Sequence, residues 1–202
     1  MKADSSPAGR RAVVERKTRE TQIFIELGLD GEGRYSIDTG VPFMNHMLEL
    51  LAKHACLDLN VRARGDVEVD DHHLVEDLGL VLGSALCQAL GDRAGITRYG
   101  HALLPMDETL SMVALDLGGR PFLVYHVDLP VRKIHEFDLG LVEEFMRAFT
   151  TEARMNLHIQ HVYGREPHHI IEGVFKALAR ALRSALAPDA RMRGVPSSKG
   201  VL

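Results

Sequence analysis

Two short stretches concentrate groups that bind metals. DDHHLVEDLG, residues 70–79, sets two adjacent histidines among four acids, and PHHIIEGVFK, residues 167–176, repeats the H-H-x-x-E spacing before a second apolar run. On a helix, residues four apart share a face, so His72 projects with Glu76 and His168 with Glu172. Each imidazole–carboxylate pair is half of a metal site. The neighbouring His73 and His169 point about a quarter-turn away, so one ion cannot easily take both histidines of one copy. Pseudo-symmetry suggests an exchange, in which one ion takes His72, Glu76 and His169 and the other takes His168, Glu172 and His73. His46 and Glu144, each near the start of an earlier helix, supply a fourth ligand to each ion. Imidazole and carboxylate without thiolate suit Mn, Fe, Ni or Zn. Four protein ligands with positions left open suit substrate binding better than a closed structural site. A single H-H-x-x-E also arises at polar helix starts, but the pattern here stands at duplicated positions. The remaining histidines, His54, His101, His126, His135, His158 and His161, read as surface or packed residues.

The elements that must position these groups also repeat. Residues 1 to about 12 are polar and read as a loose arm. TQIFIELGLDG alternates through Ile23, Ile25, Leu27 and Leu29, which predicts a half-buried strand. FMNHMLELLAKHA has helical spacing, LDLNVRARGDV returns to period two, and HHLVEDLGLVLGSALCQALGDR is a helix apolar nearly all round and therefore buried. The second half runs through strands ETLSMVALDLGGR and FLVYHVDL, a helix LVEEFMRAFTTEA, an alternating MNLHIQHVYG and a long apolar helix from His168. HHLVEDLGLVLGSAL aligns with HHIIEGVFKALARAL, and HMLELLAKHACLDL with EFMRAFTTEARMNL, so the chain reads as an internal duplication. Its halves cover about 12–95 and 96–188, followed by a tail at 189–202, all within one domain. Strands of antiparallel type with helices on one face predict an α+β layered fold. Phe24, Phe122, Phe145, Phe149 and Phe175 are expected in the core.

Bulk composition is that of an ordinary globular domain: 202 residues, 46% apolar, 26% charged, net charge −4. Such a balance gives no reason to expect nucleic acid or an acidic membrane as partner. Eleven histidines are the unusual count, and five of them fall at the positions above. Cys56 and Cys87 read as free thiols of a reducing compartment. No signal-like N-terminus and no membrane-length apolar run is apparent, so a cytoplasmic protein is expected.

GVPFMNHMLELLAKHACLDLNVRARGD, DDHHLVEDLGLVLGSAL, GRPF, HHIIEGVFKALARALR and the C-terminal PSSKGVL together resemble the imidazoleglycerol-phosphate dehydratases of histidine biosynthesis, over nearly the whole chain from about residue 12. The resemblance implies a ribosomal protein S5 domain 2-like duplicated unit, with two four-stranded sheets sandwiching a layer of helices. It implies two Mn2+ ions per active site, one on His46, His73, His168 and Glu172, the other on His72, Glu76, residue 144 and His169. It further implies a homo-oligomer of about two dozen subunits with active sites between them.

The implied reaction converts imidazole glycerol phosphate to imidazole acetol phosphate through a metal-bound imidazolate and a diazafulvene. Glu20, in RETQ, matches a substrate-contacting carboxylate and is the candidate base. Arg98, Arg120, Lys176, Ser198 and Lys199 match substrate contacts, with the tail ordered over the phosphate. Three positions depart from the family pattern. Asn45 replaces a frequent Asp and is expected to loosen the orientation of His46. Glu144 stands where some members have His, and REPHH replaces the usual lead-in, with Pro167 at the helix start. Two other readings compete: a dinuclear metal hydrolase of small phosphorylated substrates, and a metal-storing shell protein. Storage cages of the ferritin type are all-helical, whereas this chain has clear strands.

Overall fold

The computed structural model describes residues 9–201. The two halves share one order of elements, apart from a small hairpin added in the second. The first half comprises strands β1 (Arg11–Lys17), β2 (Thr21–Gly28) and β3 (Tyr35–Asp38), helix α1 (Pro42–Ala55), strand β4 (Asp58–Gly65) and helix α2 (His72–Leu90). The second comprises β5 (Tyr99–Met106), β6 (Thr109–Asp116), β7 (Phe122–His126), a small hairpin of β8 (Lys133–Ile134) and β9 (Phe137–Asp138), α3 (Leu141–Ala153), β10 (Asn156–Tyr163) and α4 (Pro167–Leu186). The strands form two four-stranded sheets, ordered β1-β2-β4-β3 and β5-β6-β10-β7. Part of the expected loose arm, residues 1–8, lies outside the described residues; its last two positions, Arg11 and Ala12, open β1.

Period two sets the faces. Ile23, Ile25 and Leu27 on β2 are buried, and so are Leu59, Val61 and Ala63 on β4. β3 runs parallel to β4 and β7 parallel to β10, so each sheet is mixed and not purely antiparallel. The helices α1 and α3 are the crossovers that a parallel pair requires. Two phenylalanines expected in the core lie elsewhere. Phe24 falls between Ile23 and Ile25, on the outer face, with the Arg62 guanidinium 4.6 Å over its ring. Phe122 is also exposed.

The helices pack between the sheets, and the halves interlock. α2 packs on β1 and β2, α4 on β5 and β6, but α1 packs against α4 and α3 against α2. The first helix of each half therefore meets the long helix of the other. Gly79 and Gly83 allow α2 and α3 to approach closely. A Cβ at either would come within 2.6 Å of a backbone oxygen, that of Phe145 or Phe149 respectively. α2 is long and apolar enough in composition to cross a membrane, yet most of it is buried in this core. The buried guanidinium of Arg93 donates to the carbonyls of Leu117, Ala153 and Arg154, which ties the C-terminus of α3 to the sheet.

Candidate metal centre

The interlocking brings one ligand set together. His46 comes from the first turns of α1, and His168 and Glu172 come from one face of α4. Pro42 at the helix start and Thr39 fix the entry to α1. The Asn45 side-chain oxygen accepts from the Thr39 N–H at 2.9 Å and its hydroxyl at 2.6 Å. Asn45 thus braces the loop with an acceptor that an Asp would also offer, and these bonds go to Thr39, not to His46. Glu166 caps α4 by accepting from the His169 N–H at 2.8 Å, and Pro167 is at the helix start.

Within this set, Glu172 Oε2 lies 3.2 Å from His46 Nε2 and 3.1 Å from His168 Nε2. One ligand atom from each of the three residues falls within 4.8 Å of the others, and the described residues add no fourth group. Burial pushes the Glu172 carboxyl up, but hydrogen bonds from Lys176 and His46 outweigh it and leave the group below its ordinary value. Lys176 Nζ is 2.6 Å from Oε1, so Oε2 is free to face the imidazoles. Two imidazole nitrogens and one ionised oxygen, converging without a thiolate, fit a divalent cation such as manganese, iron or zinc. A recess of about 700 Å³ opens beside His46 and His168, with Phe43, Ile134 and Phe137 among its walls. The β8–β9 hairpin, which has no counterpart in the first half, supplies the last two.

The related set on α2 is looser. His72 Nε2 is 3.5 Å from Glu76 Oε2, with both side chains nearly half exposed. His72 shares a groove of about 640 Å³ with Glu144 of α3. The ligand positions given by the duplication therefore gather as His46, His168 and Glu172 on one side and His72, Glu76 and Glu144 on the other.

His73 and His169 join neither set within the chain. His73 Nδ1 is 3.1 Å from Asp66 Oδ2, and His169 Nδ1 is 2.9 Å from Glu108 Oε2. Both histidines are held above their ordinary pKa, chiefly by these hydrogen bonds. Glu20 is exposed on the turn between β1 and β2, where its negative charge also acts on His73. Its backbone carbonyl accepts from the Asp66 N–H at 3.1 Å.

The cationic residues are divided as well. Arg98 is paired with Asp116 at 2.7 Å and donates to the Pro196 carbonyl at 2.6 Å. With the Gly95 N–H bonded to Gly194 O at 2.9 Å, this fastens the tail that carries Ser198 and Lys199, both exposed. Arg120 is nearby, its carbonyl bonded by Asn156, the residue opposite Asp116. Lys176 is at the other end of β5, with Nζ 3.8 Å from Met106 Sδ. The length of β5, about 25 Å, separates it from Arg98, so one chain cannot close Arg98, its tail and Lys176 on the same phosphate. Partial burial and the charges of Lys176 and Arg180 hold the nearby His54 below its ordinary pKa, which favours its neutral form.

Comparison with known proteins gives one family over nearly the whole chain. The family profile described as imidazoleglycerol-phosphate dehydratase matches residues 39–182. The protein of that name from Desulforamulus reducens is 56% identical over 193 residues, covering 96% of this chain and 98% of that protein. That from Halalkalibacterium halodurans is 55% identical, covering 96% of this chain and 100% of that protein. The crystal structure of imidazoleglycerol-phosphate dehydratase from Staphylococcus aureus superposes with a TM-score of 0.81 at 41% identity, covering 89% of this chain and 99% of that one. A Pyrococcus furiosus structure of the enzyme, in complex with (S)-C348, gives 0.81 at 34% identity, covering 94% and 100%. With its duplicated two-sheet fold and a profile match over most of its length, the chain belongs to the imidazoleglycerol-phosphate dehydratase family.

Proposed function

We propose that this chain is a hydro-lyase of histidine biosynthesis that removes water from imidazole glycerol phosphate to give imidazole acetol phosphate. The observation that carries the reading is the convergence of His46, His168 and Glu172 from both halves of the duplication onto one point. His46, His168 and Glu172 would hold one divalent cation together with His73 of a second copy. His72, Glu76 and Glu144 would hold another together with His169 of a second copy. Manganese is the ion the family resemblance favours. When bound, such an ion supplies Lewis-acid polarisation of the substrate's imidazole ring.

The remaining work falls to the chain's own side chains. Glu20 removes the proton from the substrate carbon that becomes the ketone, acting as a general base from a turn whose backbone is tied to Thr18 and Asp66. The phosphate is met by Lys176 of the copy that supplies the His46 set, and by Arg98, Arg120, Ser198 and Lys199 brought up from another copy. The separation of these groups along β5 supports sites formed between copies in a large homo-oligomer. A closed symmetric assembly meets that need, because each interface then completes the same site.

Purified protein loaded with manganese and given imidazole glycerol phosphate should form the acetol phosphate, and metal-free protein should not. Glu20→Gln should lower kcat by about 10²–10⁴. Product formation unaffected by Glu20→Gln would remove the base assignment. Hydrolysis of simple phosphoesters with no acetol phosphate formed would replace the lyase reading with a hydrolase.

A further inference from the structure

The duplication pairs two hairpin turns. RETQ, between β1 and β2, aligns with DETL, between β5 and β6, so Glu20 corresponds to Glu108 and the buried Thr21 to the buried Thr109. The two glutamates are bonded differently. Glu108 Oε2 is 2.9 Å from His169 Nδ1, while Oε1 accepts from the Glu166 N–H at 2.8 Å. The Glu20 carboxylate accepts no hydrogen bond from the described residues. In the first half the corresponding histidine, His73, is bonded instead by Asp66, 3.1 Å from its Nδ1. Beyond the end of β10, the second half has Gly164 where the first has Asp66 just past β4.

An ionised carboxylate can only accept, so the histidine nitrogen it faces must carry the proton. In the neutral ring the lone pair is then on Nε2. Among the described residues His169 Nε2 has no hydrogen bond, the nearest carboxylate oxygens being 3.8 Å away on Asp107 and 3.9 Å on Glu166.

We propose that Glu108 is a positioning residue that holds His169 in the Nδ1–H tautomer, with Nε2 presented to an ion held by a second copy. Asp66 performs the same task for His73, which leaves the first-half hairpin free to offer Glu20 to the substrate. The two halves thus divided one ancestral position into a ring-orienting carboxylate and a reacting one. This inference rests on the ligand assignment proposed above for His169.

Glu108→Gln is the informative substitution. Its amide oxygen can still accept from the Glu166 N–H, so the start of α4 is kept. Its NH2 then faces Nδ1, which must become the acceptor, and the proton moves to Nε2, where it blocks a metal. Metal-stripped full-length protein would be titrated with manganese, following the electron paramagnetic resonance signal of the free ion. Wild type should bind two ions per chain. Glu108→Gln should bind one of them about 10–100-fold more weakly, and Asp66→Asn should weaken the other, whereas Glu20→Gln should change neither. The double variant Glu108→Gln/His169→Ala should be no weaker than His169→Ala alone, because both changes act through one ring. Additive losses in the double variant, or wild-type affinities in Glu108→Gln beside a weakened His169→Ala, would overturn the inference and leave the ligand assignment intact. A lower unfolding temperature of metal-free Glu108→Gln with both ions weakened together would also overturn it, in favour of a purely structural capping role. Wild-type binding by His169→Ala would overturn the inference and the ligand assignment together.

Discussion

The N-terminal ends of α2 and α4 carry the same H-H-x-x-E pattern, yet only the α4 end is assembled within the chain. There Glu172 is buried between Lys176 on one oxygen and His46 and His168 on the other. At α2, Glu76 is about half exposed, and among the described residues only His72 pairs with it, at 3.5 Å. The difference lies one turn further along each helix. Position 176 is Lys, and the duplicated position 80 is Leu. A cation that neutralises the outer oxygen makes burial of the carboxylate tolerable, and the buried carboxylate then gathers the imidazoles. Repeating the ligands was not enough to repeat the preorganisation.

That contrast can be broken at several points. The largest effect is expected from Glu172→Gln, which removes the group on which the assembled set converges. It should lower manganese affinity and kcat by at least about a hundredfold, a loss beyond that of typical supporting residues, measured by metal titration and product assay.

Next in size is Gly79→Ala, which attacks the helix pair and not the ligands. Where α4 has Phe175, α2 has Gly79, and an added Cβ would meet the Phe145 carbonyl at 2.6 Å. Pushing α3 off α2 should cost about 1–3 kcal/mol, read as a fall of a few degrees in the unfolding temperature. Because Glu144 is carried on α3, the ion held near His72 should weaken while the set at His46 is spared.

Lys176→Met makes the α4 end resemble the α2 end and leaves Glu172 buried without its cation. Metal-free protein should lose about 1–2 kcal/mol of stability, measured by denaturant unfolding. Glu76→Gln should change it by less than about 0.5 kcal/mol, as for an exposed pair.

The smallest expected effect is a difference between the halves in acid. Asp58, at the start of β4, is lowered to about 2 by its hydrogen bond with Arg34 and by neighbouring N–H groups. β10 has Asn156 at the same place. A carboxyl lowered in the folded state contributes stability above its ordinary value near 3.8, and that contribution is lost as pH falls towards 2. Asp58→Asn should therefore reduce stability at pH 6 and flatten its decline between pH 4 and 2, as followed by thermal unfolding across that range.

Much of this architecture was legible in the sequence. The duplicated H-H-x-x-E, the period-two runs at Ile23–Leu27 and Leu57–Ala63 and the all-round apolar α2 each follow from side chains that must face a core or each other. The edge strands β1 and β5 were not legible. RAVVERK is charged on both faces, and YGHALLPM contains a Gly and a Pro that only an edge tolerates. The short, mostly exposed YSID gave no sign of pairing in parallel with β4. Phe24 and Phe122 were misplaced because aromatic character was read without the phase of the strand. At the candidate site, helix spacing correctly separated His73 from His72 and His169 from His168. The carboxylates that orient the separated rings were out of reach, since Glu108 meets His169 across 61 positions of sequence. Nor could spacing reveal that β5 holds Arg98 and Lys176 apart.

If the residues of one active site come from more than one copy of the chain, mixing subunits of two variants will reveal it. Glu20→Gln and Glu172→Gln, each inactive alone, would be stripped of metal, mixed in equal amounts and reassembled with manganese. Sites that draw Glu20 from one copy and Glu172 from another should recover about a quarter of wild-type activity, the share in which both donors happen to be intact. If the mixture stays as inactive as its components while the two variants are shown to co-assemble, both residues serve the same chain's site, and the claim of shared sites is contradicted.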